Sequence, residues 1–163
     1  SMENSFMTKD VLVSISGMHE EIVAVTPEVE DENEAIEVVT PATYYLKNGK
    51  HYIVYEEVVE GTSGVIKNRI KINGDECVEI VKSGLSNSHM IFEKNKKNQT
   101  FYKTPYGQML IGVNTRHLQV DFEEDKIAVQ IDYELDVNHE PMADCKIRMN
   151  IVSKDSGKFS VLS

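Results

Sequence analysis

Lys126-Ile127-Ala128-Val129-Gln130-Ile131-Asp132-Tyr133-Glu134-Leu135-Asp136-Val137 is written with a period of two. Ile127, Val129, Ile131, Tyr133, Leu135 and Val137 fall on one side of an extended chain, and Ala128, Gln130, Asp132, Glu134 and Asp136 on the other. After the connection Asn138-His139-Glu140-Pro141 the pattern resumes, with Cys145, Ile147, Met149 and Ile151 set against Asp144, Lys146, Arg148 and Asn150. The two runs predict a long antiparallel hairpin with one face on a core and the other in water.

Working outward, the segment from Gln108 to Phe122 changes parity, from Ile111 and Val113 to Leu118, Val120 and Phe122, which predicts a bulge between the two sets. Upstream, strands are expected near Val11–Ile15, from Ile36 to Leu46, His51 to Glu60, Val65 to Ile72, Cys77 to Lys82, Ser88 to Glu93 and Thr100 to Tyr106. At Thr40-Pro41 the second is expected to be bent, bulged or at an edge, because proline brings no N–H to a ladder. Asn48-Gly49 between apolar runs predicts a tight hairpin turn, since both residues tolerate positive φ. The polar run Lys94 to Gln99 reads as an exposed loop.

About ten strands with short connections and no helical segment predict an all-β fold: a closed or nearly closed antiparallel meander barrel of about eight to ten strands. One domain over residues 8–152 accounts for it, with an N-terminal extension at 1–7, where Ser1 ahead of Met2 reads as a tag scar, and a tail at 153–163. The 40% of hydrophobic residues suffices for a core.

A formal net charge of −10, from 27 acidic and 17 basic side chains, opposes phosphate backbones and anionic lipid, so neither nucleic acid nor membrane is an expected partner. With no apolar run of ~18 residues and no basic, apolar leader, the expected compartment is the cytoplasm. Cys77 and Cys145, both in predicted strands, are expected as reduced thiols. The run Glu28, Glu30, Asp31, Glu32, Glu34 and Glu37 predicts a solvated loop; it lacks the Asp-x-Asp-x-Asp-Gly order of a calcium loop.

Several short motifs in this order resemble a bacterial family of small proteins of unknown function with a calycin-like, or lipocalin-like, β-barrel. They are Ile36-Glu37-Val38-Val39-Thr40, Tyr44-Tyr45-Leu46-Lys47-Asn48-Gly49, Tyr52-Ile53-Val54-Tyr55-Glu56-Glu57, Lys82-Ser83-Gly84, Met90-Ile91-Phe92-Glu93, Thr104-Pro105-Tyr106-Gly107, Thr115 and Asp132-Tyr133-Glu134-Leu135. The resemblance covers the chain from Val11 to Ile151 and implies a barrel with an internal pocket; it implies no reaction. The family pattern has arginine where this chain has Lys82, so a point charge replaces a bidentate fork there.

Tyr55 and Glu57 share a face with Ile53, which points a carboxylate toward an apolar interior, where it needs a partner. Two readings stand: a polar anchor for a ligand, matched with Lys82, Thr115 and Tyr133, or a structural ion pair. The five histidines, His19, His51, His89, His117 and His139, have no metal-ligand spacing, and no nucleophile elbow, phosphate loop or dinucleotide fingerprint appears. Neither a metal nor a cofactor is expected.

The leading expectation is a barrel that binds a small, partly apolar ligand in or at its mouth, with Tyr55, Glu57, Lys82, Thr115 and Tyr133 as candidate lining residues. A protein-interaction module using the acidic run Glu28 to Glu37 is the alternative. An acid–base enzyme built on Glu57, Glu134 and His117 comes third, opposed by the position of Glu134 on the polar face of its strand.

Overall fold

Alternation along the chain becomes ten strands in the computed structural model, which describes residues 7–17, 37–85 and 87–154. They are β1 (Thr8–Ser16), β2 (Glu37–Lys47), β3 (Lys50–Val58), β4 (Val65–Asn73), β5 (Cys77–Gly84), β6 (Ser88–Glu93), β7 (Lys97–Thr104), β8 (Gly107–Phe122), β9 (Lys126–Val137) and β10 (Glu140–Ser153). The residues 18–36, which hold most of the acidic run and His19, lie outside the described residues. No helix among the described residues is long and apolar enough to cross a membrane.

The sheet order is β6-β5-β4-β3-β2-β1-β10-β9-β8-β7, every pair antiparallel, so all chain neighbours except β6 and β7 are sheet neighbours, and β1 joins β10 to link the first and last strands. The ring is nearly closed. β6 and β7 share no ladder, but Phe92 of β6 sets its ring edge-on to Tyr133 of β9 across the gap, with centroids 4.9 Å apart; the Thr115 amide, which donates to the Lys96 carbonyl at 3.0 Å, extends the β7–β8 ladder by one pair.

The opening hairpin behaves as its pattern requires. Ile131 and Ile147 pair across it and are fully buried, as are Ile127 and Ile151. Their connection is the two-residue turn Asn138-His139, with both residues at positive φ. One apolar cluster gathers the inward rows of all the strands except β7, which contributes Tyr102 at the cluster's margin.

The expected bulge lies at Arg116: Thr115 pairs with Tyr133 and His117 with Asp132, so the inward set passes from odd to even residues. Asn48 and Gly49 have φ of 53° and 78° and form the β2–β3 turn as expected.

β2 is at an edge at Pro41, one of the outcomes expected there: Pro41 pairs with Leu12 of β1 where β3 is no longer alongside, because the β2–β3 ladder stops at Thr43 and Val54. A missing N–H is tolerated on such a one-sided stretch. Lys97–Gln99 belong to β7 rather than to a loop, and β7 ends at Thr104, leaving Pro105-Tyr106 as the turn into β8. β7 is an edge strand whose outward row, Lys97, Gln99, Phe101 and Lys103, stays exposed, so it requires no second apolar face, and its lysines discourage edge pairing.

The barrel ends differ. At the end holding the β2–β3 turn, His51 accepts or donates a 3.0 Å hydrogen bond with the Tyr44 hydroxyl, and its ring lies 4.7 Å from that of Phe122 across the barrel. These side chains plug that end. Burial lowers the His51 pKa and raises that of Tyr44, so the pair is neutral.

Candidate functional site

At the opposite end the inward rows of β3, β4 and β5 stop being apolar. Below lie Ile53, Ile70 and Ile80, all dry; above them one ladder row reads Tyr55, Asn68, Lys82, Ser88. Glu57 stands one row further out, opposite Ile66. Alternation brings these residues to the inner face: Tyr55, Asn68, Lys82 and Ser88 each lie two positions from a core residue on their own strand, and Glu57 four from Ile53.

Three of them form a closed triangle. Lys82 Nζ donates to Glu57 Oε1 at 3.1 Å and to Asn68 Oδ1 at 2.8 Å, and Asn68 Nδ2 donates to Glu57 Oε1 at 2.7 Å. Lys82 and Asn68 are 4% and 2% exposed, while the Glu57 side chain keeps 27% of its surface in water. A buried ammonium needs a counter-ion and acceptors, and this triangle supplies both. Charge-assisted geometry of this kind holds polar atoms at fixed positions, which suits the orientation of a bound polar group.

Gly84 closes β5 just beyond Lys82 with φ of +108°, and a Cβ there would lie 2.5 Å from the Val65 carbonyl oxygen. Only glycine permits that approach, which ties the end of β5 to the start of β4 beside the triangle.

The wall splits next to this cluster. Beyond the Thr43–Val54 pair, β2 continues beside β1 alone and β3 beside β4 alone. A pocket of ≈ 530 Å³ occupies the fork, its outer-face lining including Thr43, Val54, Glu56, Lys67, Arg69 and Val81. Tyr55 and Asn68, both of the inner row, also line it and so connect the pocket to the triangle.

The five sequence candidates fall into two groups. Tyr55, Glu57 and Lys82 come together as described. Thr115 and Tyr133 pair with each other elsewhere, facing Phe92, which sits opposite Val78, four residues from Lys82 and so about 13 Å along β5. Tyr133 is hydrogen-bonded to the Cys145 thiol, and burial drives its phenol well above the ordinary range and raises the thiol as well. The Thr115 hydroxyl is buried with no hydrogen-bond partner among the described residues. Asn68 was missing from the expectation. Its signal is parity alone, two residues from both Ile66 and Ile70, and it is masked by standing between Lys67 and Arg69.

The acid–base trio does not converge. Glu57 faces inward, whereas Glu134 is on the outer face in a 3.1 Å ion pair with Arg116, and His117 is exposed beside it opposite Asp132. Thr104-Pro105-Tyr106-Gly107 is a hairpin cap: the Thr104 hydroxyl donates to the Gly107 carbonyl at 2.7 Å and accepts from the Tyr106 amide at 3.1 Å. Cys77 and Cys145 are free thiols, the first half-buried and the second buried.

Residues 22–149 match a family model described as a domain of unknown function, DUF1934. A relative in Bacillus subtilis (strain 168), the uncharacterized β-barrel protein YwiB, is 30% identical over 114 residues, which is 69% of this chain and 78% of the relative. The crystal structure of the ywiB protein from Bacillus subtilis superposes with a TM-score of 0.70 at 18% identity, covering 94% of this chain and 99% of that one.

Proposed function

This chain belongs to the DUF1934 family of β-barrel proteins, and from that premise we propose that it is a calycin-like, lipocalin-like binding barrel for a small, partly apolar molecule. The ligand sits at the polar end, in the fork between β2 and β3, rather than in the centre of the barrel. The observation that carries this reading is the ≈ 530 Å³ pocket against the Glu57–Asn68–Lys82 triangle. Ligand sites run from about 300 to 1,000 Å³ and combine apolar walls with a few fixed polar groups. Val54 and Val81 supply apolar walls, and Thr43, Lys67, Arg69 and Ser83 supply polar groups, with Tyr55 and Asn68 of the inner row beside them. The plugged end and the dry middle favour entry from the fork. Thr115 and Tyr133 contribute to this reading as the packed wall behind it. The cytoplasm is the compartment we assign, supported by the two unbridged cysteines.

A thermal-shift screen of small amphiphilic compounds against the purified protein tests the proposal, with Val81→Trp filling the pocket from its outer wall. Ligands that bind only the folded state raise its Tm by mass action. Compounds that stabilise the parent chain and leave Val81→Trp unmoved are the expected result. Stabilisation that survives in the filled variant, or its absence across the screen, defeats the assignment.

A further inference from the structure

We propose that the fork pocket selects a carboxylate attached to a compact apolar body, with the Arg69 guanidinium as the recognising group and Lys67 as an auxiliary cation. This inference rests on the binding reading above and names the ligand class for that same pocket.

The outward row of β4 is Lys67, Arg69 and Lys71, three cations on one face of one strand in a chain with net charge −10. Residues two apart on a strand are about 7 Å from each other, so the three repel at a distance where acids would ordinarily be interleaved on the flanking strands. The flanking strands answer each cation differently. Lys71 is matched by Glu79 of β5, at 3.6 Å. Lys67 stands opposite Glu56 of β3. Arg69 has Val54 on one side and Val81 on the other.

The fork opens at that valine–arginine–valine row, whose members all line the pocket. The nearest acid toward the barrel's plugged end, Glu79, is engaged by Lys71 and also by His89 at 2.9 Å. Lys67, Arg69 and Glu56 are the charged residues of the lining, so its balance is cationic. Arginine keeps its charge at all accessible pH values and presents a planar fork that fits two carboxylate oxygens at once. The valines on both sides exclude water from the flanks of that contact and offer apolar surface to the rest of the ligand. Lys82 is not available for the same task, because its ammonium is already held by Glu57 and Asn68.

Isothermal titration with naphthalene-2-carboxylate and its neutral isostere naphthalene-2-carboxamide tests the inference on the intact chain, at low ionic strength, where exposed charges are least screened. The carboxylate is expected to bind at least about tenfold tighter than the amide, the size of one charge-assisted hydrogen-bonded contact. Arg69→Gln should bring the two probes to equal affinity, and an unchanged thermal midpoint reports that the variant is folded. Equal binding of the two probes by the parent chain, or a preference that survives in Arg69→Gln, overturns the choice of an anion and leaves the pocket standing. Failure of both probes to bind the parent chain defeats the pocket reading, and this inference with it.

Discussion

A single strand, β3, contributes to both ends of the barrel, and its inward row reads His51, Ile53, Tyr55, Glu57. At one end a polar side chain is made harmless: His51 is neutral, hydrogen-bonded to Tyr44 and covered by Phe122. At the other a full charge pair is kept, with Lys82 buried and Glu57 partly wetted. A polar group buried without charge needs one hydrogen-bond partner, whereas a buried charge needs a counter-ion and further acceptors. The two ends of β3 meet these two requirements separately.

The comparison can be broken most severely between the ends. Ile53→Ala removes a fully buried side chain from the dry middle and should cost about 4 kcal/mol. In urea denaturation this reads as a lower midpoint with an unchanged slope; a cost near zero would mean that the middle of the barrel is not close-packed.

Next in size is the charge pair, and its two halves are unequal. Glu57→Ala leaves an ammonium that is 4% exposed without its counter-ion and should cost about 3 kcal/mol. Lys82→Met removes the buried charge itself and leaves a carboxylate that water already reaches, at a cost of about 1.5 kcal/mol from the unpaired Asn68 oxygen and the lost ion pair. Equal costs in denaturation would show that water reaches Lys82 as readily as Glu57.

The smallest effect is a pH dependence at the plug. The unfolded chain protonates His51 near its ordinary value of about 6.5, while burial lowers the folded value. Below that pH the unfolded state therefore binds more protons, so stability is intact above about 6.5 and falls as the pH drops toward the folded value. His51→Gln should flatten the difference in unfolding free energy between about pH 7.5 and 5.5; parallel pH profiles would place the acid sensitivity elsewhere.

Strand identity was legible wherever an inward row is continuously apolar. Ile127 to Leu135 and Cys145 to Ile151 needed no tertiary information, and neither did the bulge at Arg116, because a parity change is a local signal. β7 was misplaced because an edge strand has no such row to display: Lys97 to Gln99 look like a loop until β8 is alongside. The site was half legible. Glu57 stood out as a charge on inward parity and Lys82 through the family resemblance, but the contact between them depends on two ladders, β3 with β4 and β4 with β5, and Asn68 is the residue that connects them. Register is a property of pairs of strands, so a single strand's pattern does not contain it. Thr115 and Tyr133 face the interior but pair with each other away from the triangle, because position along the barrel axis follows from stagger, which the pattern of one strand leaves open.

The unzipped seam between β6 and β7 also separates topology from connectivity. The two strands that lack a ladder are consecutive in the chain, while β1 and β10, nearly the whole chain apart in sequence, are fully knitted together from Val11 with Ser153 to Ser16 with Arg148. That long-range zipper makes the fold's contact order high, and loop-closure entropy must be overcome before it forms. A circular permutant that opens the chain at Asn95 and links the residues after Lys154 to those before Thr8 would keep every strand pair and turn the most distant one into a neighbour. It should reach the native state faster than the parent chain with the same ladders in place.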